Sequence, residues 1–268
     1  MAHDRASCSH GAFVQEESML KALFAAAALL AAGGVWADTP APVAEYRFSG
    51  TLDSSVAGAP SLVAIDPTGS AGFAVDTVLG QSQSVYQFGG LASPGSSQGG
   101  LTLDVASLLA GHSDNYSIEI VFKFNERDGA WRRILDVQNR LSDNGFYVDP
   151  SNRLDIYPVA GGDSFTNGVY HDVFLVNDHG LVSFYLDGGA PTTVTTSVMN
   201  IDANQRLNFF VDNLVGGGQG EYSSGSIALV RLYDSALSAP PAPIPEPAAY
   251  LLLGAGLGLL AWRRRSQA

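Results

Sequence analysis

The sequence predicts an all-β protein, a two-sheet antiparallel sandwich, and three observations lead there. Tyr116, Ile118, Ile120, Phe122 and Phe124 alternate with Ser117, Glu119, Val121 and Lys123, the period of two that places large apolar side chains on one face of a half-buried strand. Further short β-rich runs follow at Gly145 to Val148, Arg153 to Tyr157, Val173 to Val176, Leu181 to Leu186, Leu207 to Val211 and Ile227 to Tyr233. Turn formers separate them: Asp143-Asn144-Gly145, Asp149-Pro150-Ser151-Asn152, Asn177-Asp178-His179-Gly180 and Asp187-Gly188-Gly189. Third, no helical period of comparable length interrupts the pattern; Leu103 to Ala110 alone could make two helical turns. Many short strands with short turns must pack as two sheets, because each half-apolar sheet has to bury its face against another.

The elements follow in chain order. Residues 1–18 end in Glu16, Glu17 and Ser18, and an acidic pair there opposes the positive start of an export signal, so translation is expected to begin at Met19. Lys21 then precedes eleven apolar residues, Ala22 to Ala32, with Val35 and Ala37 at −3 and −1 before Asp38. That reads as a secretory signal peptide over residues 19–37, a signal helix cut between Ala37 and Asp38. Its apolar stretch falls short of the roughly 20 residues that span a bilayer. Cys8, the only cysteine, then never reaches the exported chain, which excludes a disulfide framework and a thiolate zinc site.

Residues 38–240 are the expected sandwich domain. Between residues 38 and 247 stand nine basic and 23 acidic side chains, a net charge of −14. Nucleic acid is excluded as a partner, since binding a phosphate backbone needs clustered Lys and Arg. The stretch from Thr51 to Gly100 is rich in Gly, Ser and Ala, and it marks strand ends poorly.

Residues 241–268 carry Pro245-Glu246-Pro247, an uncharged run from Ala248 to Trp262, and the cluster Arg263-Arg264-Arg265. Fifteen helical residues rise about 22 Å, short of the roughly 30 Å hydrocarbon core, so this short transmembrane helix needs flanking residues to snorkel or the bilayer to thin. The arginines should stay cytoplasmic. This ending closely resembles the PEP-CTERM sorting signal of Gram-negative exopolysaccharide-producing bacteria. The resemblance implies processing by an exosortase, removal of the tail, and delivery to the cell surface or extracellular matrix, with membrane contact only through this segment before processing.

A second resemblance spans about residues 43 to 238. Tyr46-Arg47-Phe48-Ser49-Gly50 with Leu52-Asp53-Ser54-Ser55, Trp131-Arg132-Arg133-Ile134-Leu135, Phe184-Tyr185-Leu186-Asp187-Gly188 and the closing run Gly225 to Ser238 are similar in order to laminin-G-like, concanavalin A-like jelly rolls. It implies two curved antiparallel sheets with the first and last strands adjacent, which would cover both edges.

Chemistry is sparse. Hydrolases of that fold usually take their acid pair from Glu-x-Asp-x-x-Glu or Glu-x-Asp-x-Glu on one strand; of Glu45, Glu119, Glu126, Glu221 and Glu246 only Glu126 is followed two residues later by Asp, Asp128, and Ala130 and Trp131 stand where the second Glu of either motif would be. Glu119 reads as a solvent-facing strand residue. Gly95-Ser96-Ser97-Gln98-Gly99 matches a nucleophile elbow formally but lacks the parallel sheet that motif requires, so it reads as a loop. His171 and His179 are eight apart, without the helical pattern of a zinc protease, and read as strand-end and turn residues. Calcium is the one cofactor kept in view, at Asp212-Asn213, because hard cations take clustered oxygens and relatives of the fold often bind calcium at a rim. The sequence therefore points to a non-enzymatic surface or matrix protein that binds exopolysaccharide or another glycan. A glycan-cleaving enzyme and a structural spacer without ligand are the alternatives.

Overall fold

A computed structural model describes residues 40–125, 129–215 and 220–241. The signal peptide, the Ala37-Asp38 cut, Pro245-Glu246-Pro247, the C-terminal helix and Arg263 to Arg265 lie outside the described residues. The chain divides into Met1–Thr39 and Pro40–Ala268, and all described residues belong to the second unit.

Fifteen described strands form two antiparallel sheets. One sheet runs β13 (Thr192–Thr195), β12 (Leu181–Leu186), β11 (His171–Asp178), β6 (Asn115–Phe124), β15 (Gly225–Tyr233), β4 (Gln81–Phe88), β3 (Gly72–Val78), with β1 (Ala44–Tyr46) also on β15. The other runs β10 (Ala160–Ser164), β9 (Arg153–Tyr157), β8 (Gly145–Val148), β7 (Arg132–Asp136), β14 (Arg206–Phe209), β5 (Gly100–Asp104), β2 (Val63–Ile65). Their inner faces meet in one core. Phe88 stacks on Phe210 with ring centres 4.1 Å apart, and Phe122, Phe124 and Phe165 close around them.

The expected closure of the chain ends is present. Ala44 lies opposite Leu232, and Tyr46 opposite Val230. A register shift between Ile227 and Leu229 divides β15, so that β4 pairs with its start and β1 with its later part along the same side. Bulges of this kind bend a strand and end one pairing so that another can begin.

Three readings are corrected. β6 is buried on both faces rather than half-buried, because it lies centrally between β11 and β15. Glu119, expected to face solvent, is 7% exposed: Arg231 directly opposite on β15 donates from Nη1 to its Oε2 at 3.0 Å and from Nε to Glu45 Oε2 at 2.7 Å. Burial raises the Glu119 carboxyl although Arg231 opposes it; for Glu45 burial is outweighed by the Arg47 and Arg231 guanidinium groups, which hold it down to about 2. Leu103 to Ala110 is not a two-turn helix either. Leu103 and Asp104 finish β5, and Ala106–Leu109 makes a single turn that Ala110 ends in the left-handed region.

The Thr51 to Gly100 stretch holds β2, β3 and β4, which composition obscured. Deleting Gly225 to Leu237 removes the partner shared by β1, β4 and β6 and uncovers the core. Thermal unfolding of the truncated protein should lose its cooperative transition; a cooperative melt within a few degrees of the intact domain would show that the ends do not close the fold.

Candidate functional site

β7 carries two consecutive arginines that leave on opposite faces, as strand alternation requires. Both are fully buried. Arg132 lies opposite Val148 and stands over the Phe124 ring at 5.8 Å, on the core side. Arg133 lies opposite Tyr147 and stands over its ring at 4.6 Å, on the outer face. A register shift between Arg133 and Leu135 then turns both Ile134 and Leu135 into the core and leaves Asp136 outward, opposite Asn208.

Four acids from separate parts of the chain gather around Arg133. Nη1 is 2.8 Å from Asp136 Oδ2; Nη2 is 3.5 Å from Asp212 Oδ1 and 3.9 Å from both Asp143 Oδ1 and Glu221 Oε2. The guanidinium also donates to the carbonyls of Ser142 and Asp143, at 3.1 and 3.0 Å. Asp212 is pinned on every side: Oδ1 accepts from the Asn213 N–H at 2.7 Å, and Oδ2 from those of Gly220 and Glu221 at 3.1 and 3.2 Å. Its own N–H donates to Gln98 Oε1 at 2.7 Å, so the Gly95 to Gly99 loop serves to hold Asp212. Arg140 ties the loops together, with Nε donating to the Asp212 carbonyl at 2.6 Å and Nη2 to that of Gly95 at 2.8 Å.

Asp136, Asp143, Asp212 and Glu221 thus outnumber Arg133 and Arg140. The surplus negative charge falls on Glu221: burial, then repulsion from Asp212 and Asp143, push its carboxyl up to about 8, so it holds a proton at pH 7. Its Oε2 is buried with no hydrogen-bond partner among the described residues. One oxygen each from Asp143, Asp212 and Glu221 lie within 4.8 Å of one another. Hard cations take such oxygens, and both the surplus charge and the unpartnered Oε2 fit one, with water completing six to eight ligands. Of the expected calcium pair, Asp212 belongs to this cluster. Asn213 supports it, its Nδ2 donating to Asp143 Oδ1 at 2.9 Å and Asp212 Oδ1 at 3.2 Å.

Beyond Arg133 the same face carries an aromatic cluster. The Trp131 ring meets Tyr147 and Tyr157 edge-on, with centres 5.5 and 5.2 Å away. Tyr147 is buried and its hydroxyl donates to the Asp143 carbonyl at 2.7 Å, while Trp131 and Tyr157 remain half-buried above it. Asp155 lies opposite Tyr147, and burial together with Asp149 lifts its carboxyl to about 6. His171 and His179 stand elsewhere, at the start of β11 and in the turn after it; His171 Nδ1 is 2.7 Å from Asp187 Oδ2.

Residues 95–241 match the family described as the concanavalin A-like lectin/glucanases superfamily, and this chain belongs to it. Residues 243–265 match the PEP-CTERM protein-sorting motif, which implies export and sorting by an exosortase. Among solved structures, domain 4 of the GH43 extracellular arabinanase AbnA from Geobacillus stearothermophilus, in complex with arabinotriose, is 17% identical with a TM-score of 0.54, over 74% of this chain and 94% of that one. A botulinum neurotoxin type C structure, from a study tying its cell entry to two ganglioside molecules, is 12% identical with a TM-score of 0.51, over 73% of this chain. The chain spans about half of that neurotoxin structure, 48% of its length. These likenesses show the fold. No curated protein matches the sequence.

Arg133→Met should cost about 3–5 kcal/mol in urea unfolding, because it leaves buried Asp136 and Asp212 facing each other without their cation. The Glu221 proton has its own signature. The folded chain keeps it up to about pH 8, whereas an ordinary carboxyl near 4.5 has released it. Stability should therefore fall as pH rises from about 4.5 to about 8 and level off above. In Glu221→Gln, thermal melts across that range should lose this part of the decline.

Proposed function

We propose that this protein is an exported, non-enzymatic surface or matrix protein that binds glycan on the outer face of its seven-stranded sheet. The observation that carries the reading is the pair Trp131 and Tyr157, half-buried over Tyr147, with Asp155 and Asp143 beside them. An aromatic ring offers an apolar plane for the C–H face of a sugar, and flanking carboxylates accept its hydroxyl protons. The sorting motif supports delivery by exosortase to the surface of a Gram-negative exopolysaccharide producer. The arabinanase domain bound to arabinotriose supports a saccharide ligand for this architecture.

One observation favours a glycan-cleaving alternative. A protonated Glu221 beside Asp143 and Asp212, with oxygens within 4.8 Å, approaches the carboxyl spacing of about 5–5.5 Å used by retaining glycosidases. Against it, Arg133 Nη2 lies 3.5–3.9 Å from the oxygens of all three acids and is itself buried, which crowds the place a glycosidic bond would take. The binding reading predicts that Trp131→Ala weakens binding on a glycan array at least about tenfold, the equivalent of about 1.4 kcal/mol, while the melting temperature holds and no reducing ends are released. Release of reducing ends that Glu221→Gln abolishes would favour the enzyme. An array on which the unaltered protein binds nothing would favour a spacer.

A further inference from the structure

The two strand paths end at β13, β3, β10 and β2, and three of these carry devices that prevent pairing with another chain. β2 has three residues, β13 has four and exposes no large apolar side chain, and β10 shifts register between Gly161 and Ser164 beside the exposed Asp163. β3 has none of these. Its seven residues pair with β4 one for one from Gly72 to Val78 and include no Pro, Lys or Arg. Val75 is 72% exposed and Phe73 43%. Both stand on one face, and Phe73 is braced edge-on by Tyr86 at 5.3 Å.

Charge decides what can pair there. At net −14 between residues 38 and 247, two copies repel over most of their surface. The hairpin Gly72 to Phe88 contains one charged residue, Asp76. Lys123 Nζ neutralises it at 2.6 Å, and Tyr170 donates to the same oxygen at 3.1 Å. A second copy can therefore approach this edge without like charges meeting.

We propose that β3 pairs antiparallel with β3 of a second copy, joining two eight-stranded sheets into one. About a two-fold axis at Ala74 or Val75, Asp76 faces Gly72 or Ala74, so no carboxylate meets a carboxylate. Phe73 and Val75 of both copies then form one continuous apolar strip.

The test is sedimentation equilibrium of the exported protein, purified in the form the cells display. A dimer is expected. Val75→Lys, a charge placed on the edge, should weaken it at least about tenfold, with an unchanged melting temperature showing that the fold is intact. Val194→Lys on the opposite edge should leave the dimer as it was. Since Cys8 is the only cysteine and lies ahead of the domain, Ala74→Cys or Val75→Cys, whichever lies on the axis, should give an oxidised dimer on a non-reducing gel. A chain that stays monomeric, a dimer that Val75→Lys leaves intact, or a failure of both cysteine variants to cross-link overturns the proposal.

Discussion

The pairing of β15 with β6 is the constraint on which the rest depends. β15 is the last described strand, yet it lies beside the central strand and carries β1 and β4 along its other side. The two ends of the domain must therefore be in place together, and the core between the sheets closes only then. Such non-local pairing delays its reward until a long loop has closed. Arg231 fixes the register at this seam, because one guanidinium serves Glu45 on β1 and Glu119 on β6. A slip of β15 by one residue would turn Arg231 to the core face and leave Glu45 and Glu119 without their shared cation.

The same logic recurs on the second sheet with more acid than base. At Arg231, with Arg47 beside it, Glu45 is held ionised well below its ordinary range, while the more deeply buried Glu119 is raised. At Arg133 the acids exceed the cations by two, and a proton on Glu221 removes half of that surplus. One site is thus closed and structural. The other is electrically unfinished, and a proton or a hard cation can complete it. Tyr147 joins this cluster to the aromatic one, since it touches Arg133, Asp143, Trp131 and Tyr157.

Acidity also shapes how the outside is used. A strongly negative domain stays soluble and apart from its copies, so an uncharged edge stands out as the place where chains can meet. Two-fold pairing there would double the glycan faces on one particle, and linked sites raise apparent affinity without any new contact.

The strands with sharp turns at both ends were legible from the sequence: Gly145–Val148, Arg153–Tyr157 and Leu181–Leu186 fall where alternation and turn formers put them, because both signals are local. The match of first strand to last also followed, from the need to cover two edges. β4 was hidden by Ser and Gln at positions that need no apolar side chain at a sheet end. The acidic cluster was legible only in Asp212-Asn213. Asp143 looked like a turn former, Glu221 like one glutamate among five, and Arg133 entered only as part of the run Trp131 to Leu135. What assembled them was the bulge in β7 and three loops brought together by Arg140. Sequence by itself determined the sandwich and the C-terminal sorting motif, since period and order are properties of neighbours along the chain. Which carboxylates share a cation, and which edge stays open, only the tertiary structure decided, because burial and charge balance are set by residues far apart in sequence.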